Sequence, residues 1–467
     1  MILRLSTFLT MVLVITSCTL APEYTRPNAP VSSDWPTGPA YEKVKSALDA
    51  PAAANIPWRE FFADENLQKL IETALSNNRD LRVAALNVER ARALYGISRA
   101  ELLPTVNVIG AGSKQRESAD ISEPGVPRTT EHYSVDLGII SWEIDFFGRI
   151  RSLEDRALNE YLATEQGLRS AQILLVSSVA SGYLSLAADR ELLKLAQSTL
   201  ETQQAAYNLM KRRYDVGITN ELDLRRVQTQ VDTARADIAR YREQMARDEN
   251  ALNLLLGSSA PTDLLPADLD GIIPPKEPAA GTPSEVLLSR PDILQAENLL
   301  KAANASIGAA RAVFFPSISL TTAIGTASDD LSRLFESGTG AWSYSARAVM
   351  PIFDARTWSA LKATKAEREL VLAQYEKAIQ TAFKEVADAL AVRGTVEDYL
   401  SAQQSLVNAL SETHRLSNAR YTKGIDSYLS VLDAQRTLYT AQQGLVAIRL
   451  TRLTNLVRLY AVLGGGA

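Results

Sequence analysis

The sequence predicts a mainly helical, duplicated chain, in which each half also carries a pair of short strands that would cross a membrane. The stretch RYDVGITNELDLRRVQTQ, which begins at Arg213, returns as RYTKGIDSYLSVLDAQRT at Arg420, after 420 − 213 = 207 residues. Because this period is much too long for a solenoid, it indicates two duplicated halves. Hydrophobic residues make up 46% of the chain and aromatic residues only 7%, a balance that suits long helices packed through aliphatic side chains.

The overall charge and the scarcity of reactive side chains exclude two broad classes of protein. The 467 residues carry a net charge of −5, without the basic arms or aromatic platforms of a nucleic-acid-binding protein. There are only two histidines, His132 and His414, and no Gly-rich phosphate loop, serine-centred elbow or metal-spaced cluster. We therefore predict a protein that is not an enzyme, binds no nucleic acid and holds no cofactor or metal.

The first residues read as a lipoprotein signal peptide, predicted at 1–17. Arg4 supplies the positive end, Leu5 to Ile15 form a short apolar region, and Ile-Thr-Ser-Cys at 15–18 is similar to a bacterial lipobox. Cys18 is the only cysteine, which leaves no intramolecular disulfide and makes Cys18 the predicted lipidation site. The alternative is an ordinary secretory signal. Residues 18–60 are rich in Pro, Ser and Ala and predict an extended, lipidated tether.

The first half is predicted at 61–260 and is followed by a linker at 261–284. Asp64 is a plausible helix cap before apolar residues at helical spacing, and Pro104 ends this helical pattern. The predicted elements are a helix to about Leu103, strands at about 104–114 and 131–144, a long helix to Gly217 and a helix from Leu222 to Leu256.

The second half, predicted at 285–467, repeats this order. Its first helical pattern ends at Pro316, as the earlier one ends at Pro104. The predicted elements are strands at about 316–326 and 341–352, a long helix from Thr357 to Gly424 and a last helix from Leu429 to Leu463. The two halves have the same order of elements, and the same residue types end these elements. This agreement favours duplication over a chance similarity between helices.

One helical segment permits a second interpretation. Ser170 to Ala188 contains no charged residue and is long enough to cross a bilayer. Its serines and its glutamine make it poorly apolar, and no aromatic belt marks its ends. We therefore expect a helix packed in a bundle, with a transmembrane helix as the alternative.

The strand-like segments explain how the chain would enter a membrane. Each has roughly the ten residues that a tilted strand needs to cross a bilayer. Four strands cannot close a useful barrel, and open sheet edges cannot face lipid. Three copies of the chain would close a barrel of twelve strands, so membrane physics suggests a homotrimer. The alternative is a small soluble β-hairpin domain.

The mature chain closely resembles the TolC-like outer-membrane efflux factors, in particular the lipoprotein branch that serves resistance-nodulation-division multidrug pumps. The matching stretches are the lipobox, YTRPNAPV, WREFFADENLQKLIETALSNNRDLRVA, SWEIDFFGRIRS, RPDILQAENLLKAANASIGAARAVFFPSISL and YTKGIDSYLSVLDAQRTLYTAQ. The resemblance implies a trimer with a twelve-stranded outer-membrane β-barrel and a twelve-helix periplasmic tunnel. It also implies a periplasmic adaptor and an inner-membrane pump as partners.

The same resemblance implies a gate at the two echoing segments. Asp433 matches an acidic constriction position, Tyr421 matches a tyrosine whose hydrogen bonds hold the gate closed, and Asp223 matches its acidic partner on the neighbouring helix pair. Some relatives carry a second acid where this chain has Ser430, and a basic gate residue where it has Asp426. Three Asp433 carboxylates held together by symmetry would repel one another and attract cations.

The function implied is a passive outer-membrane exit duct of a tripartite efflux system in a Gram-negative bacterium, with a lipid anchor and a large periplasmic part. Drugs or other small toxic compounds are its expected cargo. Two alternatives remain within the family, an outer-membrane channel for metal efflux and one for type I protein secretion. A third alternative, a periplasmic adaptor, shares the lipid anchor and the helical hairpins but lacks paired strand regions in a duplicated frame.

Overall fold

The computed structural model describes residues 19–42, 53, 56–122, 125, 127–279 and 283–465. The predicted signal peptide and Cys18 lie outside these residues. The helices are α1 (Trp58–Phe61), α2 (Glu65–Asn77), α3 (Arg79–Ala100), α4 (Arg149–Asp215), α5 (Glu221–Leu256), α6 (Pro283–Ser289), α7 (Pro291–Ala312), α8 (Ala355–Thr422) and α9 (Tyr428–Val462). The strands are β1 (Val106–Arg116), β2 (Thr129–Ile144), β3 (Ser317–Ser328) and β4 (Gly340–Val349).

The duplication predicted from the sequence is visible in the order and length of the elements. In each half, short helices precede an antiparallel strand pair, a long helix and a returning helix. The long helices α4 and α8 contain 67 and 68 residues, and the returning helices α5 and α9 contain 36 and 35. The prediction of a mainly helical, duplicated chain with four strands is confirmed.

The first predicted helix is interrupted, which the sequence analysis did not anticipate. Asp64 caps α2 as expected, because its side chain accepts from the backbone N–H of Leu67 at 2.9 Å. The helix then breaks at Asn78, whose backbone is extended. The Asn78 side chain accepts from the N–H of Leu81 at 2.9 Å and donates to the backbone oxygen of Leu255 at 2.9 Å. Asn78 therefore ends one helix, starts the next and ties both to α5.

The four strands form one antiparallel sheet in the order β1-β2-β3-β4, with an irregularity in register between Ile139 and Trp142. Their bounds differ by a few residues from the predicted ones. β1 begins at Val106 instead of about 104, and β4 ends at Val349 instead of about 352. Pro351 has no N–H to give to a neighbouring strand, which explains the early end of β4. The connections between strands are 117–128 and 329–339.

The chain divides into two compact units. The first comprises the described residues of Met1–Asn28, Asn87–Glu165 and Gln295–Tyr375, and it contains the whole sheet. The second comprises those of Ala29–Leu86, Gln166–Leu294 and Glu376–Ala467. The main hydrophobic core lies in the second unit, where Phe61 stacks on Tyr460 with ring centroids 3.9 Å apart.

Helix α4 is the one helix among the described residues that is long and apolar enough to cross a membrane. Half of its most apolar stretch is buried within the protein. Val179, Ala180 and Tyr183 of this stretch belong to the main core of the second unit. This burial favours the predicted helix packed in a bundle over the transmembrane alternative.

Candidate functional site

The two echoing segments form a pair of equivalent turns in the second unit. We call residues 213–227 the first tip and residues 420–434 the second tip. In the first tip, the N–H of Ile218 donates to the oxygen of Arg213 at 2.8 Å and that of Gly217 donates to Tyr214 at 2.9 Å. In the second tip, Ile425 donates to Arg420 at 3.0 Å and Gly424 to Tyr421 at 2.9 Å. This double hydrogen bond is the Schellman motif, which ends a helix.

A glycine in the left-handed backbone region makes each turn possible. Gly217 has φ 78° and Gly424 has φ 73°. A residue with a Cβ adopts such positive φ values only at a cost in free energy. Leu224, Val227 and Leu432 are buried just beyond the turns, together with Met210 of α4. This small cluster packs the start of α9 against α4 and α5. The tips are therefore ordered by their backbone and by their own hydrophobic contacts.

The polar contacts of the first tip are local. Asn220 caps α5 by accepting from the N–H of Asp223 at 2.9 Å. The carboxylate of Asp223 lies 3.4 Å from the guanidinium of Arg226 and 3.5 Å from the hydroxyl of Thr219. Asp223, one of the predicted gate residues, is thus paired within its own tip.

The second tip carries an ion pair that the first lacks. Arg420 donates to both carboxylate oxygens of Asp426, with its Nε at 2.6 Å from one and an Nη at 3.1 Å from the other. These hydrogen bonds lower the pKa of the Asp426 carboxyl below its ordinary value and raise the pKa of Arg420. Asp426, one of the predicted gate residues, therefore links the turn to Arg420 near the end of α8.

Tyr421 connects the two tips. Its hydroxyl accepts a hydrogen bond from the guanidinium of Arg213, whose central carbon lies 5.5 Å from the centre of the tyrosine ring. The ring also packs on Tyr428 with centroids 4.9 Å apart, and burial raises the pKa of the Tyr428 phenol to about 12. The structure brings Tyr421 to Arg213, whereas the partners of Asp223 within this chain are Arg226 and Thr219.

Asp433 lies in the first turns of α9 and points to solvent in the single chain, with 63% of its side chain exposed. Arg436, one turn further on, holds this carboxylate at 2.7 Å. A ring of such carboxylates requires further copies of the chain, so the predicted role of Asp433 stays a prediction. No three His, Cys, Asp or Glu side chains in the described part of the chain are grouped as metal ligands would be.

Arg213 and Arg436, the two arginines that hold predicted gate residues, were not among the residues predicted from the sequence. Arg213 belongs to an Arg-Tyr pair that is repeated at Arg420. The sequence signal for its role is a difference between the two tips six residues further on. Under the shift of 207 residues, Thr219 stands where the second tip has Asp426. Without a carboxylate at that position, Arg213 reaches another partner.

The sheet in the first unit has two chemically different faces. Residues paired across neighbouring strands point to the same face. One row across all four strands is Val108, Leu137, Ile324 and Trp342, each between 50% and 79% exposed. An adjacent row on the opposite face is Asn107, Gly138, Ala323 and Ser343. An exposed apolar face opposite a small and polar one is typical of a sheet that separates lipid from water.

Part of the predicted tether is attached to α7 within the first unit. Arg311 donates to the backbone oxygen of Leu20 at 3.0 Å, and Asn304 donates to that of Pro22 at 2.7 Å. Further along, Arg26 pairs with Glu297, whose side chain is only 4% exposed. Residues 20–26, which we call the strap, therefore run antiparallel to α7. The strap is fixed to α7 by specific hydrogen bonds, and α1 begins at Trp58, inside the range predicted as tether. An extended tether over 18–60 stays a prediction.

The chain matches the model of the family described as "Outer membrane efflux protein" over residues 70–258 and 282–465. An antibiotic efflux pump outer membrane protein, ArpC, and a toluene efflux pump outer membrane protein, TtgC, both from Pseudomonas putida, are each 49% identical over 455 residues. The match covers 97% of this chain and 93% of each relative.

A solved structure has the same fold. The open state of the MtrE outer membrane channel from Neisseria gonorrhoeae superposes with a TM-score of 0.86 at 37% identity, covering 96% of this chain and 98% of that one. The residues that match the family model include both long helices, both returning helices and all four strands. The chain belongs to the outer membrane efflux protein family.

Proposed function

We propose that the chain is the outer-membrane exit duct of a tripartite efflux system and passively conducts small toxic compounds to the exterior. The observation that carries this proposal is the two-faced sheet, in a chain of the outer membrane efflux protein family. The relatives named above are parts of an antibiotic pump and a toluene pump, which supports drugs and solvents as cargo. A duct of this kind needs no catalytic residue, cofactor or resident metal.

The sheet edges support a homotrimer. Within the described residues, β1 pairs only with β2 and β4 pairs only with β3. Their outer edges carry backbone groups that lipid cannot satisfy, so further strands must pair with them. Three copies joined β4 to β1 would give a closed barrel of twelve strands, and α4, α5, α8 and α9 would contribute twelve helices to a periplasmic tunnel. The partners are a periplasmic adaptor and an inner-membrane resistance-nodulation-division pump.

The two tips are the proposed gate at the periplasmic end of this tunnel. Asp433 is the proposed constriction residue, where threefold symmetry would form a ring of carboxylates. Tyr421, Asp223 and Asp426 are the proposed residues that hold the helices closed around it. Asp223 and Asp433 lie early in the returning helices, Tyr421 lies at the end of a long helix, and Asp426 lies in the turn between two helices, which supports this assignment.

Lipidation of Cys18 is the proposed second attachment to the outer membrane. The strap supports it, because Leu20 is held by Arg311 at the end of α7, close to the start of β3. A chain leaving this point is already beside the strands. Mass spectrometry of the mature N-terminus should find an acylated Cys18, and an unmodified terminus at another residue would contradict the anchor. Cys18→Ala should leave conductance intact, since the barrel remains in the membrane.

The duct itself is tested by purifying the chain from outer membranes in detergent. We expect the mass of three chains and, in planar bilayers, ion conductance. A protein that is released without detergent as a single chain and forms no pore would contradict the duct and favour a periplasmic adaptor.

The orientation can be tested on intact cells in a Cys18→Ala background. Single cysteines at Ser118 and Asp330, in the two strand connections, should react with an impermeant maleimide. A cysteine at Ser430 in the second tip is the matched control and should react only after permeabilisation. The reverse pattern of labelling would overturn the orientation.

A further inference from the structure

The two tips contain equivalent arginines that have different partners. Arg420 bonds to Asp426 within the second tip through two hydrogen bonds. Arg213 occupies the same place in the first tip, but the position equivalent to Asp426 is Thr219. A threonine hydroxyl cannot replace a carboxylate as a two-oxygen acceptor for a guanidinium. Arg213 is therefore available to a partner outside its own tip.

The partner of Arg213 is Tyr421 of the second tip. One guanidinium nitrogen donates to the phenol oxygen, and the guanidinium also lies 5.5 Å from the ring centre, within the range of a cation–π contact. Arg213 and Tyr421 are both only partly exposed, unlike the exposed Tyr214 that is equivalent to Tyr421. Two separate contacts to one side chain restrict both the position and the rotation of the tyrosine.

We propose that Arg213 is a positioning residue of the gate, which holds Tyr421 and so ties the first tip to the second within one protomer. This inference rests on the proposed function for the role of Tyr421, but the contact itself does not. Arg213 acts through Tyr421 and needs no contact with the transported compound. The divergence of Thr219 from Asp426 is what frees it for this role.

The chemistry of the pair is compatible with a further hydrogen bond. A phenol oxygen that accepts from Arg213 keeps its own O–H as a donor. Donation by a guanidinium polarises the hydroxyl and strengthens that O–H as a donor. Arg213 would therefore orient Tyr421 toward a carboxylate acceptor, such as the proposed gate residue Asp223 of another copy.

The test is a double-mutant cycle on the full-length trimer, with Arg213→Ala, Tyr421→Phe and the combined variant. Arg212→Ala, which removes the exposed neighbouring arginine, is the matched control. The first measurement is amide hydrogen exchange of residues 420–425 in detergent. Tyr421→Phe should speed exchange about fivefold, the ratio that corresponds to a lost hydrogen bond of about 1 kcal/mol, and Arg213→Ala should speed it at least as much, because it also removes the cation–π contact. The combined variant should exchange no faster than Arg213→Ala, because both substitutions remove the same hydrogen bond.

The second measurement is the opening frequency in planar bilayers, which should rise in the same three variants and stay unchanged in Arg212→Ala. Additive effects on exchange, or exchange in Arg213→Ala equal to that of the unaltered protein, would overturn the contact. Faster exchange with unchanged opening would overturn the positioning role. If the unaltered protein conducts no ions, the proposed duct fails, whereas the exchange cycle still decides whether Arg213 holds Tyr421.

Each variant is first checked for the mass of a trimer. Arg213→Lys retains a donor but not the planar fork, so its exchange rate should fall between those of Arg213→Ala and the unaltered protein.

Discussion

The first and second tips share one backbone and differ in their side-chain contacts. Both turns end a long helix with the same pair of hydrogen bonds and a glycine at positive φ. In the second tip, Arg420 and Asp426 form an ion pair within the tip. In the first tip, Asp223 forms an ion pair with Arg226, and Arg213 donates a hydrogen bond to Tyr421 of the second tip.

This difference shows which properties a duplicated turn retains and which it can change. Both tips keep the same turn because it is made by a glycine and by backbone hydrogen bonds, although other side chains of the two tips differ. The polar contacts depend on single side chains. The two tips differ at three equivalent positions that carry polar contacts. These are Thr219 and Asp426, Asp223 and Ser430, and Arg226 and Asp433. The two similar turns therefore make different side-chain contacts.

The largest effect is expected where the tips are alike. Gly217→Ala and Gly424→Ala should each destabilise their own turn by about 1 kcal/mol, because the new Cβ must adopt a positive φ. Apart from the two neighbours in the chain, no heavy atom of the described residues lies within 4 Å of either Cβ position, so the cost comes from the backbone conformation. Hydrogen exchange at 214–219 and 421–426 measures it. Gly96→Ala, in open space within α3 and without a positive φ, is the control. Equal, small effects at all three glycines would contradict the shared turn.

A second substitution converts the first tip into a copy of the second. Thr219→Asp should give Arg213 a local carboxylate and draw it away from Tyr421. We expect exchange at 420–425 and the opening frequency to rise by up to about fivefold, the value for one lost hydrogen bond. Thr219→Asn has a similar shape without the charge and should have little effect. If Thr219→Asp behaves like Thr219→Asn, the absence of a carboxylate does not explain the path of Arg213.

A third experiment uses the equivalent positions Asp433 and Arg226. Asp433→Ala removes one carboxylate per protomer and should weaken cation preference and block by multivalent cations. Arg436→Ala should strengthen that preference, because Arg436 holds the Asp433 carboxylate at 2.7 Å. Reversal potentials in a salt gradient measure the selectivity. Arg226→Ala should alter it less than Asp433→Ala does. Unchanged selectivity and block in Asp433→Ala would remove the acidic ring from the proposed gate.

The smallest expected effect is a response to pH confined to the second tip. Because Arg420 lowers the pKa of Asp426 in the folded protein, the pair contributes order above the ordinary pKa of about 3.9, and this contribution is lost as pH falls through the lowered value. Exchange at 420–426, corrected for its intrinsic pH dependence, should therefore increase at strongly acidic pH. Asp426→Asn should abolish that increase. An equal response in the variant would assign the effect to another group.

Local signals explain why the long elements could be predicted closely. Gly217 and Gly424 mark the ends of helices that stop at Asp215 and Thr422, and Pro104 and Pro316 precede the first strand of each half. The break at Asn78 could not be predicted in this way. Asn78 bonds to Leu255, which lies 177 residues away in the chain. A helix interruption that depends on such a distant contact does not change the periodic spacing of apolar residues along the sequence.

The sequence by itself determined the duplication, the helices and strands, and the positions of Asp223, Tyr421, Asp426 and Asp433 relative to two glycines. These features depend on residue spacing and on local backbone preference, which can be read along the chain. Only the tertiary structure decided that Arg213 meets Tyr421, that Arg436 holds Asp433 and that the strap follows α7. The physical reason differs among them. Arg213 and Tyr421 are 208 residues apart and the strap meets α7 across more than 270, so folding must bring these groups together. Arg436 is only one turn from Asp433, and its choice of partner depends on which neighbouring groups the packed helices leave within reach.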